Sequence, residues 1–310
     1  MAAISAAMVK ELREMTGAGM MDCKKALTET DGNMDEAVEV LRKNGQAKMD
    51  KKAGRIAAEG LCKAFTKDGR NAVLVEVNSE TDFVAKNEKF TAFVDEIAER
   101  VSSSDVADVE ALLNEKSVAD PSKTLNERLV ELVSVIGEKL SVRRFEKVSA
   151  DLLDTYIHGG GKIAVVVCAK TDVVNDDIKE ALHNISMQVA ALSPQYVSVD
   201  EVPGDYVEHE KEILKAQIMN DPKESQKPEK VITGMIQGRI NKQLKEICLN
   251  DQEYFRAEDG KQTVGQYIKE VGKANNANLS ISKFIRYETG EGMEKKEENF
   301  AEEVAKQING

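Results

Sequence analysis

Apolar and polar positions change period several times along the chain, and each change marks an expected element. Met8, Val9, Leu12 and Met15 fall at helical spacing behind Ser5, a residue type suited to capping a helix. Thr16-Gly17-Ala18-Gly19 interrupts that pattern. A second helix runs from Asp22 to Leu27, and Asp31-Gly32-Asn33 stops it. Asn33 then caps a third helix carrying Met34, Ala37, Val38 and Leu41, which Asn44-Gly45 is expected to end. Residues 1–45 therefore read as a small three-helix bundle. A unit this size is marginal alone, so it is expected to be an appended docking module. Residues 46–55, with Lys48, Lys51, Lys52 and Arg55 and few apolar positions, read as an exposed linker that could be helical; a nucleic-acid patch is the sharper alternative, which the net charge disfavours.

The period then shortens to two. Leu61 to Phe65, a turn at Lys67-Asp68-Gly69-Arg70, and Ala72 to Val77 predict a β-hairpin. A helix follows from Lys86 to Val101, another from about Leu125 to Leu140, and a third strand spans Val142 to Val148. This unit, residues 56–149, recurs. Tyr156-Ile157-His158-Gly159-Gly160-Gly161-Lys162 turns into a strand from Ile163 to Ala169. A helix with Ile178, Leu182, Ile185 and Val189 comes next, and Phe284 to Glu288 closes the unit as a strand. Gly69 matches Gly159, Val75 matches Val165, and Val77 matches Val167. Thr81-Asp82-Phe83-Val84 matches Thr171-Asp172-Val173-Val174, and Phe90, Val94, Ile97 and Val101 match the four apolar helix positions of the second copy. The expectation is an α+β fold with a duplicated core, each copy a three-stranded antiparallel sheet with helices on one face. The second copy comprises residues 150–192 and 251–290. Its interruption, residues 193–250, predicts two amphipathic helices, Tyr206 to Asn220 and Glu229 to Leu249, with Pro222 and Pro228 at the turn. The apolar stripe Ile232, Met235, Ile236, Arg239, Ile240, Leu244 and Ile247 reads first as intramolecular core and, more sharply, as a dimer surface. A final helix with Phe300, Val304 and Ile308 is expected in residues 291–310.

Composition narrows the functional classes. Asp plus Glu number 55 against 43 Lys plus Arg, a formal charge of -12, which argues against direct binding of nucleic acid. The longest apolar run, Ile163 to Ala169, is far below the roughly 18 residues of a membrane span. Cys23, Cys62, Cys168 and Cys248 are scattered and form no CxxC pair, so neither a disulfide framework nor a zinc cluster is expected, and a reducing cytoplasm fits. No GxGxxG, Walker A, HExxH or GxSxG string occurs. Gly159-Gly160-Gly161-Lys162 leads into a strand rather than a helix N-terminus, so it reads as a hairpin turn and not a phosphate loop. His158, His183 and His209 lack ligand spacing. The expectation is no catalytic residue, no cofactor and no metal. A hydrolase using Asp82 with a distant His has no motif behind it.

One segment stands out. In Asn78-Ser79-Glu80-Thr81-Asp82-Phe83-Val84-Ala85-Lys86 an apolar strand gives way to a helix. Spacing alone favours a helix entry, with Thr81 or Asp82 as cap and Phe83 packed inward as a staple. The alternative is an aromatic wedge presented on a rigid corner.

Two ungapped segments carry a resemblance. Leu12-Arg13-Glu14-Met15-Thr16-Gly17-Ala18-Gly19-Met20-Met21-Asp22-Cys23-Lys24-Lys25-Ala26-Leu27 and Glu76 to Lys86 fit the signatures of the bacterial elongation factor Ts family. Tyr156-Ile157-His158-Gly159 and Lys227-Pro228-Glu229-Lys230 through Gly238-Arg239 are also similar to it. The resemblance covers essentially the full chain. It implies a guanine-nucleotide exchange factor for elongation factor Tu, meeting that partner in its GDP-bound and nucleotide-free states. It implies a ubiquitin-associated-like N-terminal bundle and a helical hairpin through which a homodimer forms. By the same resemblance Thr81, Asp82, Phe83 and Val84 form the partner-binding segment. Asp82 and Phe83 enter the partner's GTPase domain, and Phe83 wedges between helices there and disturbs the magnesium site. Met20, Met21, His158 and Gly159 would be further contacts, and the C-terminal helix another. A bundle-and-hairpin adaptor is a competing reading, but it leaves the duplicated core idle. The chain departs from the family at Gln252-Glu253-Tyr254-Phe255, where Gln-Pro-Phe is frequent.

Overall fold

A computed structural model describes residues 4–258 and 260–294. Helices α1 (Ala6–Thr16), α2 (Met20–Glu29) and α3 (Met34–Lys52) close over Leu12, Cys23, Ala26, Leu27 and Ala37. The side chains of Ser5 and Asn33 cap α1 and α3, and Gly17 ends α1 in the left-handed region at φ 67°. The third helix does not end at Asn44-Gly45 as expected. It continues to Lys52, because Gly45 is the point where α3 crosses helix α7 (Leu125–Ile136). A Cβ there would stand 2.9 Å from both Val130 Cγ1 and Ser134 Oγ. The glycine is a packing residue rather than a stop, and the contact outweighs its poor helix propensity. The basic segment is accordingly helical through Lys52. Its exit is held by Lys139 Nζ, which donates to the carbonyls of Ala53 (2.7 Å) and Arg55 (2.8 Å).

The first sheet has the order β1 (Glu59–Thr66), β2 (Asn71–Ser79), β3 (Leu140–Ser149), all antiparallel. Helices α4 (Asp82–Ala85), α5 (Glu88–Ser103), α6 (Val109–Asn114) and α7 lie between β2 and β3. Helix α7 stops at Ile136, short of the expected Leu140, because Gly137 adopts φ 86° and Leu140 already begins β3. The second sheet repeats the order with β4 (Leu152–His158), β5 (Ile163–Lys170) and β6 (Ser280–Glu288). Helix α8 (Asp176–Leu192) follows β5. Then come α9 (Gly204–Asn220) and α10 (Glu229–Ile247) and, undetected from the sequence, α11 (Val264–Ala274) before β6. The signal for α11 was its capping box, Thr263 with Gln266.

The two sheets stack face to face, which the sequence did not reveal. Val73, Val75 and Val77 of β2 point to the helices over Phe90, Ile97 and Leu129. Ala72 and Leu74 point the other way and meet Ala164, Val166 and Cys168 of β5. On β5, Val165, Val167 and Ala169 face α8 and α11. Helices thus cover the outer face of each sheet, and the central strands, buried on both faces, read as continuous apolar runs.

Glu76 is the exception in that run. It is fully buried, and its carboxylate accepts from Arg143, Arg144, Asn78 Nδ2 and the backbone N–H of Gly290. Burial opposes its ionisation, yet these donors outweigh that and hold the carboxyl below its ordinary range.

In the α9–α10 hairpin, Leu214, Ile218 and Ile240 are buried, whereas Ile213, Met219 and Val231 are exposed. Of the stripe read from the sequence, Ile240 is buried and Ile232, Met235, Ile236, Arg239, Leu244 and Ile247 are half-buried, so the three exposed apolar residues lie beside it rather than on it. The hairpin's exit is orderly. Gln188 Nε2 donates to the carbonyl of Glu253 (2.9 Å), Phe255 N–H donates to Gln188 Oε1 (2.9 Å), and Tyr254 stacks on Tyr267 at 4.1 Å. The expected C-terminal helix lies outside the described residues.

Candidate functional site

The most exposed large apolar side chain among the described residues is Phe83, at 79%. Its placement follows from how the chain leaves β2. Ser79 Oγ donates to the carbonyl of Thr81 (2.9 Å). Thr81 donates twice to one carboxylate, from its N–H to Glu138 Oε2 (3.0 Å) and from Oγ1 to Glu138 Oε1 (2.8 Å). Glu80 accepts from the N–H of Lys139 and from Arg55. Glu80 and Thr81 are thereby fixed to the segment joining α7 to β3.

Past that clamp, Val84 turns into the core of the first unit, and Asn87 caps α5 by accepting from the N–H groups of Lys89 and Phe90. With Val84 occupying the inward position, Phe83 is left outward. The cap-and-staple reading is therefore overturned. Thr81 stands at the N-cap position of α4 but makes no capping bond; its hydroxyl is turned toward Glu138, to which it donates. Asp82 is half exposed and meets Lys86 at 3.4 Å. A shallow cleft beside Phe83 is lined by Val84, Asn87, Lys89, Val135 and Ile136.

The duplicate corner is built differently. Asp172 accepts from the backbone and side-chain amides of Asn278 (2.8 and 2.7 Å), which lower its pKa, and Val173 packs against the core of the second unit. The second copy ties its exposed aspartate to Asn278, packs Val173 and leaves Val174 outward, whereas the first copy pairs Asp82 with Lys86, packs Val84 and leaves Phe83 outward.

The other residues picked from the sequence are spread over the surface. Met20 and Met21 open α2 and are exposed, at 58% and 64%. Met15, at the end of α1, lines a second cleft that shares Lys89 and Val135 with the Phe83 cleft, so the bundle and the corner border one surface. His158 and Gly159 stand exposed at the β4–β5 turn, where Gly159 has φ 60°. The sequence reading missed Glu138. It lies 57 residues from Thr81, and no local pattern announces it.

Among the described residues no group of three His, Cys, Asp or Glu side chains could hold a metal ion, and no helix is long and apolar enough to cross a membrane.

These features define a class: a mixed α/β protein with a duplicated two-sheet core that offers an aromatic side chain on a braced corner. Comparison with known proteins gives the family. A family model described as elongation factor TS matches residues 80–291. Elongation factor Ts of Clostridium kluyveri (strain NBRC 12016) is 49% identical over 310 residues, covering 99% of both chains. Elongation factor Ts of Clostridium novyi (strain NT) is 47% identical over 309 residues with the same coverage, and that of Clostridium perfringens (strain 13 / Type A) is 49% identical over 306 residues, 98% of each chain. The chain belongs to the elongation factor Ts family, and its role is in translation elongation during protein biosynthesis.

Proposed function

We propose that the protein is a guanine-nucleotide exchange factor that binds elongation factor Tu and loosens its GDP, without covalent chemistry of its own. The observation that supports this best is the divergence of the two corners: Phe83 is exposed and braced, whereas its counterpart Val173 is packed. A rigid outward aromatic suits insertion into a partner, because little conformational freedom is lost when it docks. In this reading Asp82 and Phe83 enter the GTPase domain. Thr81 and Val84 hold the segment in place, the first through Glu138 and the second through the core.

The target of the wedge is the partner's Mg²⁺. That ion holds GDP through phosphate oxygens and demands near-ideal octahedral geometry, so a small displacement of its protein ligands is costly. Met20 and Met21, on a ubiquitin-associated-like bundle, and His158 with Gly159 are the further contacts. The exposed Ile213, Met219 and Val231 support the α9–α10 hairpin, within residues 193–250, as the region through which two copies associate. Residues 56–149 form the first core subdomain, residues 150–192 with 251–290 the second, and residues 291–310 add a last contact. The cytoplasm, where translation elongation takes place, is the expected compartment.

An exchange factor must bind the nucleotide-free partner better than the GDP-loaded one, and by linkage GDP must weaken its binding equally. Calorimetric titration of both partner states tests this. Affinity that falls as GDP is added supports the reading, and equal affinities for the two states would remove it.

A further inference from the structure

The divergence between the copies extends to the edge strands. Val75 pairs with Lys63 and Val73 with Phe65 in the first sheet, while Val165 pairs with Tyr156 and Ile163 with His158 in the second. Since Val75 and Val165 are equivalent, Leu61, Lys63 and Phe65 correspond to Asp154, Tyr156 and His158. In the first copy these positions do ordinary work. Leu61 and Phe65 pack under the helices, and Lys63 pairs with Asp95 of α5 at 2.8 Å. The residue of α8 that matches Asp95 is His183.

In the second copy the same places hold a connected polar chain. His183 Nδ1 lies 3.2 Å from Asp154 Oδ2. The His183 ring meets Tyr156 edge-on at 5.7 Å, and Tyr156 Oη lies 3.1 Å from Nδ1 of the exposed His158.

We propose that Tyr156, steadied by the Asp154–His183 pair, is a positioning residue that locks His158 in a single tautomer. The inference rests on the reading of His158 as a partner contact. A phenol is a stronger donor than acceptor and a neutral imidazole nitrogen a good acceptor, so in this proposal the O–H donates across the 3.1 Å contact to Nδ1 and the ring proton sits on Nε2. His158 then presents one N–H donor to a carbonyl or carboxylate oxygen of the protein partner. An unheld histidine at a turn would divide its proton between the two nitrogens and its ring among rotamers. The charged groups near this end of the sheet are Lys162 in the turn and, on β6, Arg286 and Glu288, which pair with each other at 2.8 Å. The last two engage each other, and no bond from either to His158 is present.

The test uses the full-length protein, with ring ¹⁵N spectra of His158 at about pH 7.5, where an ordinary imidazole is neutral. The native protein is expected to show Nδ1 in the acceptor range and Nε2 protonated. Tyr156→Phe is expected to move both nitrogens to averaged positions and to weaken partner binding about 3- to 10-fold, the size of one hydrogen bond. His183→Ala, at an exposed position, should shift the spectrum in the same direction. The double variant Tyr156→Phe/His158→Ala should bind no worse than His158→Ala alone. Unchanged ring shifts in Tyr156→Phe, or additive losses in the double variant, would overturn the positioning role. Full affinity in His158→Ala would instead remove His158 from the partner interface, whatever the spectra give.

Discussion

Phe83→Ala and Val173→Ala, made side by side, separate a docking side chain from a packing one. Phe83 is 79% exposed, so only about a fifth of it is covered in the free protein. A buried aromatic side chain covers on the order of 200 Å², so that fifth is roughly 40 Å², or about 1 kcal/mol at ~25 cal/mol per Å². This is an upper bound on the stability loss, since no cavity forms and Ala favours the helix. Covering the remaining ~160 Å² on docking is worth about 4 kcal/mol if complete and about 2 kcal/mol if half complete. Removing the ring is therefore expected to slow exchange by roughly 30- to 1,000-fold. Val173 is half-buried among the apolar residues of the second unit. Its loss removes two methyl groups from that packing, for about 1–2 kcal/mol of stability, and should leave exchange nearly intact. Thermal unfolding and the GDP-release rate are measured on both variants. Matching stability losses with unaltered release in both would return Phe83 to a structural role.

Three further outcomes follow from the same contacts. Glu138→Ala strands the two Thr81 donors and should cost about 1–2 kcal/mol while slowing GDP release several-fold through a loosened corner, whereas unchanged release would deny the brace a role. Glu76 has a depressed carboxyl pKa, so its contribution is complete above the unfolded value of 4.5 and is lost as pH falls through the lower folded value; urea titrations should show stability dropping below about pH 5, and Glu76→Gln should be less stable at neutral pH with a shallower acid slope. Gly45→Val forces a side chain into the α3–α7 crossing and should cost about 1–3 kcal/mol or detach the bundle, seen as a lowered or split unfolding transition.

Much of the architecture was legible because the central strands are buried on both faces. Ala72 to Val77 and Ile163 to Ala169 could only be core strands, and matching them exposed the duplication. What the chain could not announce was contact between distant segments. Gly45 looks like a helix stop until Val130 and Ser134 are seen against it. Nothing local marks Glu76 as a buried carboxylate, because the Arg143, Arg144 and Gly290 donors that surround it come from far along the chain. At the corner, spacing favoured an inward Phe83, because a staple is the commoner use of an aromatic at a helix entry. The outcome turned on Val84 taking the inward place and on Glu138 holding Thr81 to the segment before β3.

The central claim is that this chain releases GDP from elongation factor Tu by contact alone. The direct measurement is the release of a fluorescent GDP from a fixed amount of elongation factor Tu, chased with excess unlabelled nucleotide, at increasing substoichiometric amounts of the protein. The account predicts a release rate that rises with added protein and completes with far less than one equivalent, with no nucleotide hydrolysed by the protein itself. A rate that stays at the spontaneous value across the whole range would contradict it.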